Sequence, residues 1–206
     1  MLATVRHLSS ASPEASAPQL NPQFSYLRAT IDGRVVFLVL GYVDSHTEGP
    51  TEVWYSGSGE VVRLRHGRLV GTSGLTTDWR SVRHVDEPAW SADAAGRATV
   101  RFQRERDLMP GYRSGVRDEI TQIAIDPPAS SGLVGRPANS LRWLEERSTT
   151  RPASAALPPA RFALAQTGDR PEVVYSEQCL TDELCLSFER WNPSAPATVT
   201  STRAGS

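Results

Sequence analysis

The sequence predicts an all-β protein, an antiparallel meander folded into a β-sandwich or a partly open β-barrel with little helix, and three observations carry that prediction. Apolar and polar residues alternate with a period of two through most of residues 24–192. Turn signals such as Asp32-Gly33, Gly57-Ser58-Gly59 and His66-Gly67 break the alternation at short intervals. Up to Val70 that spacing leaves no room for a helix.

The first strand is expected over Tyr26 to Ile31, where Leu27, Ala29 and Ile31 face one side and Arg28 and Thr30 the other. Asp32-Gly33 follows, a pair that tolerates positive φ at both turn positions, so the next run, Val35 to Val43, should pair with the first as a hairpin. That run is apolar except at Gly41, which predicts a strand buried on both faces. Thr51 to Ser56, Glu60 to Arg65 and Arg68 to Val70 continue the meander. Arg97 to Arg106 sets Ala98, Val100 and Phe102 against Arg97, Thr99, Arg101 and Gln103. Gly115 to Asp126 changes face between Ile120 and Ile123, which predicts a bulge near Thr121-Gln122. Leu141 to Arg147, Phe162 to Thr167, Glu172 to Ser176 and Leu184 to Trp191 bring the count to about ten strands, with Pro127-Pro128 and Pro152 to Pro159 as punctuation.

Composition narrows the function classes. With 39% hydrophobic and 22% charged residues and a formal net charge of −1, the chain fits neither a disordered segment nor a membrane bundle, and no positive field favours nucleic acid. Every basic residue is Arg, so a lysine nucleophile or Schiff base is excluded. Val35 to Val43 is about half the roughly 20 residues of a membrane-spanning helix. Residues 1–23, rich in Ser, Ala and Pro from Ser9 onward, read as a flexible tether, residues 24–192 as a single β domain, and residues 193–206 as a disordered tail. Residues 1–22 contain no block of apolar residues of signal-peptide length, so either the signal has been removed or the start shown is internal.

Cys179 and Cys185 are the only cysteines and flank a short connection between two expected strands. The alternatives are two buried thiols or a disulfide. An even count at hairpin spacing, with no metal partner nearby, favours the disulfide, which would stabilise by about 2.4 kcal/mol on the chain-entropy model. His7, His46, His66 and His84 are scattered, so metal-ligand spacing is absent and neither a metal nor another cofactor is expected. No G-x-S-x-G elbow and no Gly-rich phosphate loop occurs, and Ser56 and Ser58 belong to a glycine-rich turn. Glu52, Asp78, Asp118 and Glu119 are the acids that could form a glycosidase pair, against the plainer reading of solvent-facing acids paired with arginines. Gly71 to Arg80 joins β elements with glycines, hydroxyls, an acid, an indole and a guanidinium. Thr76, Asp78, Trp79 and Arg80, with Trp54, are therefore the candidate glycan-binding residues, by ring stacking and hydrogen bonding. The competing reading has Trp79 plugging the core and Asp78 capping a turn.

Several segments in order carry a family resemblance: Tyr26-Leu27-Arg28, Gly33-Arg34, Val36-Phe37-Leu38-Val39-Leu40-Gly41-Tyr42, Val53-Trp54-Tyr55-Ser56, Gly67 to Thr72, Gly74-Leu75 and Asp78-Trp79, then Cys179 through Trp191. Together they resemble the YjbF/GfcB family of group 4 capsule lipoproteins over most of residues 24–192, with little contributed by His84 to Arg161. The resemblance implies a lipoprotein on the periplasmic face of the outer membrane that assists exopolysaccharide or capsule secretion. It implies partners among the secretion proteins, including an outer-membrane β-barrel, and no enzymatic activity. No lipobox cysteine is present in this chain, so the N-terminal lipid anchor is implied for the native protein only. Beside this interaction module stand a carbohydrate-binding or glycan-processing protein, which needs an exposed Trp79, and a carrier of lipid-linked sugar, which needs a hollow barrel.

Overall fold

The computed structural model describes residues 20–45, 47–90, 99–168 and 170–193, so the expected tether and tail lie almost wholly outside the described residues. Twelve strands follow one another: β1 Tyr26–Ile31, β2 Arg34–Asp44, β3 Thr51–Tyr55, β4 Val61–Arg65, β5 Arg68–Ser73 and β6 Asp78–Val85. The second half comprises β7 Val100–Met109, β8 Arg113–Ile125, β9 Arg142–Arg151, β10 Ala160–Thr167, β11 Arg170–Cys179 and β12 Cys185–Trp191. The helical content among the described residues is two single 3-10 turns, Ala138–Ser140 and Ala153–Ala155.

All twelve strands form one antiparallel sheet in the order β5-β4-β3-β2-β1-β12-β11-β10-β9-β8-β7-β6. Every ladder but β1 with β12 is a hairpin between consecutive strands, and that one exception joins the two halves of the chain. β5 and β6 end the sheet, yet only residues 74–77 separate them, so the sheet curls until its ends meet as a nearly closed barrel. No ladder joins β5 to β6 among the described residues; the Trp79 N–H instead donates to Thr72 Oγ1 at 3.0 Å across the seam. The Asp32-Gly33 hairpin forms as expected, with φ of 51° and 72° at the two turn positions, and His66-Gly67 repeats it at 50° and 80°.

Period two sorts the side chains. Leu27, Ala29, Ile31, Leu38, Trp54, Val62, Leu64, Leu69, Trp79, Leu186 and Phe188 point inward as one apolar cluster. On the outside of the second half, residues 126–141 cross the wall and cover Trp143, Ala163, Val174 and Tyr175.

Three expectations are corrected. Val35 to Val43 is not buried on both faces: Leu38 is buried, whereas Val35, Tyr42 and Val43 are half-exposed, because nothing described here covers the outer face of β2. No bulge interrupts Thr121-Gln122; β8 stays in register with β7 and β9 through both residues, and Gln122 continues the inward face of Val116, Asp118 and Ile120. Register shifts fall instead at Leu40/Tyr42, Arg63/Leu64, Trp79/Ser81, Arg106/Leu108 and Ala163/Leu164. The strand expected from Arg97 begins at Val100, with Arg97 and Ala98 outside the described residues.

Candidate functional site

Strands β7, β8 and β9 carry an unusual inner face. Phe102, Arg104 and Arg106 of β7 lie opposite Ile120, Asp118 and Val116 of β8, and Asp118 lies opposite Thr150 of β9, so alternation sends charged groups into the barrel. Asp118 is buried and accepts four hydrogen bonds: from Arg104 Nε at 2.7 Å, Arg106 Nε at 2.7 Å, Arg106 Nη2 at 3.0 Å and Thr150 Oγ1 at 2.7 Å. Burial alone would raise its pKa, but the Arg106 hydrogen bonds and the two guanidinium charges hold it below the ordinary value. Both guanidiniums also flank the Trp79 indole, 4.7 and 5.0 Å from its centroid.

A second cluster spans the same interior. Glu146 Oε1 accepts from Arg68 Nε at 3.0 Å, Arg68 Nη2 at 2.8 Å and Gln122 Nε2 at 2.9 Å. Arg68 Nη1 donates to Glu87 at 2.8 Å while its guanidinium stacks 3.7 Å from the Trp90 centroid. Glu87 also faces His84 Nδ1 at 2.8 Å. Burial pushes the His84 pKa down, partly opposed by Glu87. Burial would raise that of Glu87, yet the contact with His84 and the Arg68 charge hold it at about 2. Gln178 accepts from the Leu69 N–H and donates to the Gly67 carbonyl and Ser176, tying β5 to β11. Apart from His84 Nδ1, which lies close to Glu87 without a hydrogen bond, these groups satisfy one another. The interior pocket lined by Trp79, Arg104, Glu146 and Gln178 measures about 10 Å³, room for a single water at most.

The sequence candidates fall on both sides of the wall. Trp54 and Trp79 are each 1% exposed, so neither offers a ring face to a sugar. Trp79 plugs the core, its Nε1 donating to the Leu180 carbonyl at 3.1 Å. Asp78 caps the 74–77 turn through the N–H groups of Gly74 and Leu75. Thr76 and Arg80 are exposed beside it. Stacking on Trp79 is thus replaced by the plug-and-cap arrangement, because the β5–β6 seam needs a large apolar side chain to fill it. Ser56 shapes its turn by accepting from the N–H groups of Ser58, Gly59 and Glu60. The acids that could pair do not: Asp118 is inside, its neighbour Glu119 outside, Asp78 in its turn, and Glu52 is bound to Arg190 at 2.7 Å.

Cys179 and Cys185 are disulfide-bonded, directly opposite each other in the β11–β12 ladder. The bridge closes the hairpin whose tip inserts Leu180 into the apolar cluster. Sequence reasoning missed Arg104, Arg106 and Glu146, although carrying the alternation of Val100 and Phe102 two steps further places both arginines inward.

The comparisons with known proteins bear on this barrel. The model of the group 4 capsule polysaccharide lipoprotein family gfcB, YjbF, matches residues 13–154. The match includes the middle stretch from His84, and it stops short of Cys179 to Trp191, which were expected to carry part of the likeness. The crystal structure of the hypothetical lipoprotein YmcC from Escherichia coli (K12) superimposes with a TM-score of 0.63 at 16% identity, over 88% of this chain and 92% of that one, and so shares the fold. No curated protein matches the chain. With the family model matching well over half of its residues, the chain belongs to the YjbF family of group 4 capsule polysaccharide lipoproteins.

Proposed function

We propose that the protein is a non-enzymatic module of exopolysaccharide or capsule secretion, lipid-anchored at the periplasmic face of the outer membrane, where its barrel docks an outer-membrane β-barrel protein of the secretion machinery. Residues 1–23 serve as the tether between anchor and barrel. The family supports the setting, and the pocket beside the interior charge clusters supports a role exercised at the surface, since its volume of about 10 Å³ accommodates neither a substrate nor an acyl chain.

The observation that carries the docking role is the apolar outer face of β1 to β3. Tyr26, Val39 and Tyr55 are in register across it, with Tyr26 buried and Val39 and Tyr55 progressively more open. Val35 and Phe37 continue the patch toward the β1–β2 turn, with Phe37 packed edge-on against Trp191 at 5.7 Å. Val35 is 51% and Tyr55 41% exposed. Gly41 lets the Tyr55 ring lie flat over β2, since a Cβ there would approach the ring to 2.5 Å and displace it. Contiguous exposed apolar surface of this kind marks interaction sites.

The test is capture of the lipidated full-length protein from its native outer membrane, compared with Val35→Glu. The wild type is expected to retain a β-barrel protein of the secretion system, and the variant, folded but charged at the patch, to lose it. Equal recovery by both, or no barrel with either, would remove the docking role.

A further inference from the structure

Half-way round the barrel from that apolar patch, the outer face of β6 to β9 has the opposite chemistry. Arg83, Glu105, Arg117 and Arg151 lie in register on adjacent strands. Two residues along, Gln103, Glu119 and Thr149 form the next row. Both rows line an open groove of about 420 Å³, within the size range of ligand clefts, about 300–1,000 Å³. A third row adds Arg101 and Arg147 on the same face, flanking Thr121.

One pairing in this arrangement works against the fold. Arg117 and Arg151 stand directly opposite each other, and like charges so placed are destabilising. Glu105 is shared between Arg83 at 3.6 Å and Arg117 at 3.4 Å, and these two guanidiniums remain 62% and 78% exposed. Arg101 and Arg151 are exposed and have no ion-pair partner among the described residues. Arg147 is already bound to Glu145 at 2.7 Å, so four guanidiniums, those of Arg83, Arg101, Arg117 and Arg151, face Glu105 and Glu119 within a chain of formal net charge −1.

We infer that this groove binds an anionic polysaccharide, a polymer carrying carboxylate or phosphate groups along its sugars. Guanidinium forks match such groups bidentately, while Gln103, Thr149 and Glu119 suit the intervening hydroxyls. Rows separated by about 6.8 Å along the strands, and strands by about 4.8 Å, give a polymer repeated contacts. An anionic bilayer fits less well, because Glu105 and Glu119 stand among the arginines and would be pressed against its headgroups. The site is distinct from the apolar docking face, and neither role requires the other.

The experiment is affinity electrophoresis and calorimetry of the whole protein with polygalacturonate, with dextran as the neutral polymer and with phosphatidylglycerol vesicles. Polygalacturonate is expected to bind and dextran not. Arg117→Gln with Arg151→Gln should weaken binding by about tenfold or more, as the loss of a charge-assisted hydrogen bond does. Arg34→Gln with Arg170→Gln, exposed charges on β2 and β11, should leave it unchanged. The groove variant should unfold at nearly the wild-type denaturant concentration, since it removes the Arg117–Arg151 like-charge pair together with the exposed Arg117–Glu105 ion pair. No binding of polygalacturonate, binding as strong to dextran or to vesicles, or equal weakening in both double variants would overturn the assignment. Continued capture of the barrel partner by the groove variant separates this result from the docking role.

Discussion

Asp118 and Glu119 adjoin in β8 with the same charge and face opposite sides of the wall, one holding two buried guanidiniums and the other open to solvent. Asp118→Ala leaves Arg104 and Arg106 without their anion inside the barrel, an uncompensated burial that costs about 3–5 kcal/mol. Glu119→Ala should change stability by no more than about 0.5 kcal/mol. Urea unfolding of the two variants checks both values, and similar midpoints would show that the Asp118 cluster contributes nothing special.

The β11–β12 hairpin links local chemistry to closure of the barrel. Its tip supplies Leu180, whose carbonyl accepts from the Trp79 indole N–H of β6 across the barrel interior. Replacing both Cys179 and Cys185 with Ser should lower unfolding stability by about 2.4 kcal/mol through loss of loop constraint. Tryptophan fluorescence, compared with that of a Trp79→Phe background, provides a second readout as the surroundings of Trp79 loosen; an unchanged denaturation midpoint would count against the bridge as a brace. Elements of this kind were legible in the sequence: the Asp32-Gly33 turn, the register of Leu27, Ala29 and Ile31, and the paired cysteines all follow from local rules. What misled was the assumption that inward means apolar. Gln122 broke the apolar alternation and suggested a bulge, whereas the interior is polar there and supplies Glu146 as its partner. The same assumption read Val35 to Val43 as buried twice, although its outer half belongs to a surface patch. The candidate site was less legible than the fold, because Trp79 looks alike in a loop and in a core, and the arginine groove exists only once four strands separated in sequence are aligned.

At the scale of the whole barrel, the buried charges make folding sensitive to acid. His84, Glu87 and Asp118 all have pKa values below their ordinary ones of 6.5, 4.5 and 3.8. The unfolded chain therefore takes up protons on acidification before the folded one does, so the stability these three groups contribute is full above pH 6.5 and falls as pH drops. The His84 contribution erodes first, and that of Glu87 disappears between pH 4.5 and about 2. Urea midpoints measured from neutral pH down to about 3 should decrease steadily; a flat profile would mean that these groups ionise alike in both states.

The two-sidedness of β7 to β9 has one more consequence. Inward Phe102, Arg104 and Arg106 are interleaved with outward Arg101, Gln103 and Glu105, and β8 and β9 do the same, so two unrelated instructions occupy odd and even positions of one stretch of chain. Such a stretch has a reading frame. Substitution damages one instruction and spares the other, whereas loss or gain of a single residue exchanges them, turning the groove arginines into the core and the salt network out to solvent. Length changes in these strands should be tolerated in pairs and rejected singly.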